Sequence, residues 1–125
     1  MHVEQVKFSL MGESFIEQEI AAHRARNEKL LELIERHGAD QDATRPIDFF
    51  FYTGDQDAAS ALARDLEVSG FVSVQVSDEP RNDQWCVQAV RMDSVAAITE
   101  EAFVERVVSL AAKHLVAFDG WGTPI

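Results

Sequence analysis

A single cysteine, Cys86, occurs in 125 residues. A lone thiol can form no disulfide within the chain and no cysteine cluster for a metal. Trp85-Cys86-Val87 reads as strand with no His or Asp adjoining, so Cys86 reads as a small buried hydrophobe. Basic residues are scarce, 11 against 22 acids, which leaves a net charge of −11. That balance repels phosphate backbones and anionic membranes and favours a basic partner. No apolar run approaches the roughly 18 residues of a membrane-spanning helix. Lys7 is the single basic residue before Glu13, with no apolar stretch of the signal-peptide kind. The cytoplasm is the expected compartment. Chemical motifs are also missing. The histidines, His2, His23, His37 and His114, never fall in H-x-x-x-H spacing. Asp40-x-Asp42 lacks the glycine and distal glutamate of a calcium loop. No G-x-S-x-G, phosphate-cradling loop or dinucleotide fingerprint is found. Neither catalytic residue, cofactor nor metal is expected.

What is present fits one domain of common size. Val3, Val6, Phe8 and Leu10 alternate incompletely, giving an arm over residues 1–12. From residue 13 to 38 the pattern turns helical. Ile16, Ile20, Asn27, Leu30, Leu31 and Ile34 form a narrow stripe on an otherwise charged helix, closed by Gly38. Pro46 then feeds a strand, Ile47-Asp48-Phe49-Phe50-Phe51-Tyr52, whose aromatics on both faces predict a central strand covered above and below. Asp55 caps a helix that runs to about Ser69 on Ala58, Leu62 and Leu66, with Gly70 ending it. Residues 71–77 and 85–92 read as a hairpin around a polar loop, residues 78–83. Thr99 reads as the N-cap of a helix with an apolar face of Phe103, Val104, Val107, Val108, Leu110, Ala111 and Leu115. A short strand, residues 115–118, precedes a C-terminal turn over residues 119–125.

That order is helix, then strand-helix-strand-strand-helix-strand. It predicts an α+β, ferredoxin-like (βαββαβ) core over residues 47–118, with a four-stranded antiparallel sheet and one additional N-terminal helix. The extra helix is free to cover the second sheet face or to meet a partner. Aromatics on the first strand suggest an RNA-binding sheet. The charge, and a third strand (residues 84–92) without an aromatic and basic pattern, oppose direct nucleic-acid binding. The acidic pairs Asp55/Asp57, Glu100/Glu101 and Asp40/Asp42 sit where caps and turns want acids, which outweighs an acid–base reading.

Three segments carry a family resemblance. Asn27 to Glu35 leads into Gly38-Ala39-Asp40; Ile47 to Phe51 leads through Ala58–Leu66 to Gly70-Phe71; and the third segment is Phe118-Asp119-Gly120-Trp121-Gly122-Thr123. Together they resemble the regulator of ribonuclease E activity B family, whose aromatic-Asp-Gly-Trp-Gly-Thr signature the third segment matches. The resemblance implies a non-enzymatic protein-binding role. The implied partner is a ribonuclease E-type endoribonuclease, contacted on its basic, non-catalytic scaffold region. Enterobacterial-type members continue past the signature into a long acidic tail that this chain lacks. The acids nominated for contact are Asp40, Asp42, Asp55, Asp57, Asp78 and Glu79. In the signature, Trp121 is expected to pack inward and Asp119 to accept backbone donors in the turn. The alternative is a small-ligand-sensing or dimeric ferredoxin-like regulatory domain unrelated to ribonuclease binding.

Overall fold

The computed structural model describes residues 13–79 and 83–124. The arm expected over residues 1–12 lies outside them. Among the described residues the elements run α1 (Glu13–Arg36), β1 (Arg45–Thr53), α2 (Gln56–Val68), β2 (Ser73–Glu79), β3 (Gln84–Asp93), α3 (Val95–Ile98), α4 (Glu101–Lys113) and β4 (Ala117–Gly122). The strands form one sheet in the order β2-β3-β1-β4, and every neighbouring pair is antiparallel. The expected α+β class and four-stranded antiparallel sheet are present.

Alternation along β1 decides which face is inside. Ile47, Phe49, Phe51 and Thr53 are buried, while Asp48, Phe50 and Tyr52 are only half-buried. Register places Phe49 opposite Ala89 and Trp121, and Phe51 opposite Val87 and Phe118, so these residues share the core face. Phe49 meets Phe71 edge-on at 5.2 Å between ring centres, and Phe51 meets Phe118 at the same separation. Burying a phenylalanine of this kind contributes about 1.5–3 kcal/mol. Leu62 and Leu66 of α2 and Val104, Val107, Val108 and Ala111 of α4 close the same cluster from above.

The additional helix does not cover the second face. Ile16, Ile20 and Leu31 of α1 pack on the same cluster as α2 and α4. An exposed Arg24–Glu101 ion pair at 3.3 Å joins α1 to α4. The three long helices therefore share one side of the sheet. The other side carries Phe50, Tyr52, Gln88 and Val90, with Met92 half exposed, and no described helix lies over it. The aromatic pattern predicted cover on both faces. A half-buried antiparallel face tolerates such aromatics without a second layer.

Three boundaries differ from the sequence reading. Thr99 does not cap α4, whose N-cap is Glu100 without a side-chain bond; Ser94 caps α3 instead, its Oγ accepting from Ala97 N at 3.1 Å. Ser94 starts the short α3, which Thr99 ends by donating to the Val95 and Ala96 carbonyls. The strand read from Phe71 begins at Ser73, leaving Val72 exposed. The last strand runs through Gly122, so most of the expected C-terminal turn is strand.

Candidate functional site

The signature segment forms the edge strand β4, and α1 lies along it. Pairing shifts between Phe50 and Phe51: Phe51 faces Phe118 and Phe50 faces Gly120, which leaves Asp119 as the extra residue of a bulge. Gly120 has φ +145°, and a Cβ there would stand 3.1 Å from an Arg26 guanidinium nitrogen. Glycine is needed for both reasons. Opening the strand frees two carbonyls toward the helix. Arg26 donates to the Asp119 carbonyl, and His23 Nε2 donates to the Phe118 carbonyl at 3.1 Å. One turn on, Asn27 Oδ1 accepts from Trp121 Nε1 at 2.8 Å. Thr123 Oγ1 completes the run by donating to the Pro46 carbonyl at 2.7 Å.

His23, Arg26 and Asn27 stand three and four residues apart, on one helix face. His23 and Asn27 are buried. The His23 ring also stacks on Phe118, with ring centres 4.4 Å apart. Burial, reinforced by the Arg26 charge, pushes the His23 imidazole below its ordinary value of 6.5. The Phe118 carbonyl, Glu19 and Asp119 pull the other way. The missing H-x-x-x-H spacing points to a surface or helix-end position for His23, and the structure buries it instead. Asp119 is expected to accept backbone donors on its carboxylate; among the described residues none meets it, and its main-chain carbonyl accepts from the Arg26 side chain. The available signal was Asn27, a polar residue inside an apolar helix stripe.

The nominated acids fall at the two opposite ends of the sheet. Asp55 and Asp57 follow β1 directly, and Asp78 pairs with Trp85, which also pairs with Thr53. Glu79 is the last residue of β2 at that same end. Two strand spacings, about 10 Å, separate the ends of β1 and β2. Asp40 and Asp42 lie before β1, some 25–30 Å away along its length. Asp55 caps α2 by accepting from Asp57 N at 3.0 Å, and Asp40 Oδ1 accepts from Asp42 N at 2.9 Å. Asp57 and Asp78 are exposed, and among the described residues their carboxylates meet no donor.

Other titratable contacts are structural. His114, at the end of α4, hydrogen-bonds Asp65 of α2, and this bond holds the Asp65 carboxyl below its usual range. Among the described residues no group of three or more His, Cys, Asp or Glu could hold a metal ion. No described helix is long and apolar enough to cross a membrane.

Two comparisons bear on these features. The model of the family described as regulator of ribonuclease activity B matches residues 24–123, from α1 through the signature strand. A regulator of ribonuclease activity B from Pantoea ananatis (strain LMG 20103) is 31% identical over 114 residues, covering 89% of this chain and 79% of the relative. The match spans the helix that supplies Arg26 and Asn27 as well as the strand that receives them, and the chain belongs to the regulator of ribonuclease activity B family.

Proposed function

We propose that this chain is a non-catalytic, cytoplasmic regulator that binds a ribonuclease E-type endoribonuclease on its basic scaffold region and restrains RNA cleavage. Family membership is the observation that carries the reading. Charge supports it, since a protein of net −11 is steered toward a basic segment and away from RNA itself. Asp57 and Asp78, with Asp55 and Glu79 beside them, form the contact end; Asp40 and Asp42 lie too far away to share it. The strand order β2-β3-β1-β4 with helices crossing between β1 and β2 and between β3 and β4 supports the ferredoxin-like description of the core.

A pull-down of the purified ribonuclease scaffold region, at about 50 mM and about 500 mM salt, tests the proposal. Retention at low salt and release at high salt is the expected result, because exposed charge pairs are screened beyond a Debye length of about 10 Å at 0.1 M. No retention at low salt would overturn it.

A further inference from the structure

Cations gather at one place in this acidic chain. Between α4, β3 and the turn that follows α2 a cleft of about 310 Å³ opens. Phe71, Phe103, Val107 and Leu110 form its apolar lining, and Arg91, Arg106 and Lys113 stand around them. Among the described residues no acidic side chain lines it, although the chain carries 22 acids against 11 bases. Arg91 sits on the core face of β3, opposite Ile47, where alternation calls for an apolar residue. Its guanidinium carbon lies 5.6 Å from the Phe71 ring centre and 5.4 Å from that of Phe103, close enough for cation–π attraction to both. Nε donates to Asp93 at 3.0 Å and one Nη to the Ser69 carbonyl at 3.2 Å. Gly70 permits this approach: its φ is +100°, and a Cβ would come within 3.2 Å of the guanidinium.

Two of the three cations are partly neutralised, Arg91 by Asp93 and Lys113 by Asp65 at 3.6 Å. Arg106 has no ion pair among the described residues. The Arg91 Nη2 is likewise without a partner among them. An apolar lining, one fixed guanidinium and one uncommitted guanidinium are complementary to an apolar body with a single carboxylate. The volume lies at the small end of ligand sites, which suits one ring or a short chain. We propose that this cleft on α4 binds small apolar monocarboxylates, with the carboxylate on Arg106 and Arg91 and the hydrocarbon on Phe71, Phe103, Val107 and Leu110. The site is separate from the acidic end nominated for the ribonuclease.

Amide chemical-shift titration of the full chain with octanoate, and in parallel with 1-octanol, tests this. Octanoate is expected to saturate with a Kd below about 1 mM and to shift the amides of Phe71, Phe103, Val107 and Leu110. 1-Octanol, which lacks the charge, should bind about tenfold more weakly than octanoate, and Arg106→Gln should weaken octanoate about as much. Glu105→Gln, an exposed neighbour outside the cleft, should leave octanoate affinity within about twofold despite its charge change. Failure to saturate, equal affinity for acid and alcohol, equal weakening by both substitutions, or shifts centred away from the cleft would each overturn the proposal.

Discussion

Along the α1–β4 seam the polar side chains of the helix end on protein groups, whereas at the end of β1 the carboxylates of Asp57 and Asp78 stand exposed. His23 and Arg26 meet carbonyls freed by the bulge, and Asn27 takes the indole proton of Trp121. Asp57 and Asp78 are exposed, and no donor among the described residues meets their carboxylates. A buried polar group left without its partner costs about 1–3 kcal/mol, while an exposed charge contributes little to stability. The difference separates what holds this fold from what is free to recognise a partner. The signature belongs with the first, although its glycines and indole at a chain end look like a recognition tail.

Substitutions can break that contrast. Trp121→Ala removes a half-buried ring packed on the core and leaves Asn27 Oδ1 buried without its donor. It should lower stability by about 2–3 kcal/mol in urea denaturation, less than for a fully buried aromatic. Gly120→Ala places a side chain at positive φ against the Arg26 guanidinium. A loss of about 1–2 kcal/mol is expected, and an unchanged midpoint would show that the bulge relaxes freely.

Acidification attacks the seam through His23. Its folded pKa is depressed below 6.5, so the unfolded chain takes up the proton first as pH falls. The stability tied to neutral His23 is therefore complete above about 6.5 and is lost as pH drops toward the lowered folded value. Asp65 is also depressed, chiefly by its His114 hydrogen bond, and its contribution is lost only below the carboxylate's ordinary 3.8. Denaturation midpoints should fall between about pH 7 and about pH 5. His23→Gln should flatten that fall; an equally steep fall in the variant would remove His23 as its cause. At the acidic end the expected stability effect is smallest. Asp57→Asn with Asp78→Lys should stay within about 0.5 kcal/mol of the parent while weakening scaffold binding about tenfold at low salt. A large loss of stability would place that end with the seam instead.

Much of the architecture was legible in residue order. Alternation in β1 and the apolar helix stripes gave the sheet and the long helices. The position of α1 was not, because Phe50 and Tyr52 on the second face mimic a strand covered on both sides. The helix instead grips β4 with His23, Arg26 and Asn27, polar residues that an apolar-stripe argument passes over. Asp119-Gly120 has turn chemistry, and the same pair builds a bulge when the strand continues beyond it. Arg91 was invisible for a related reason: alternation places an apolar residue at its position, and only the nearby rings, Ser69 and Asp93 make a cation acceptable there.

The direct test of the central claim, that the signature holds the fold and does not contact the partner, is to measure stability and scaffold affinity together on Trp121→Phe. This change keeps a ring on the core but removes the donor to Asn27. A fall of about 1–2 kcal/mol in stability, with affinity of the folded protein within about twofold of the parent, is the predicted result. An unchanged denaturation midpoint with scaffold binding lost would contradict it and make Trp121 a contact residue.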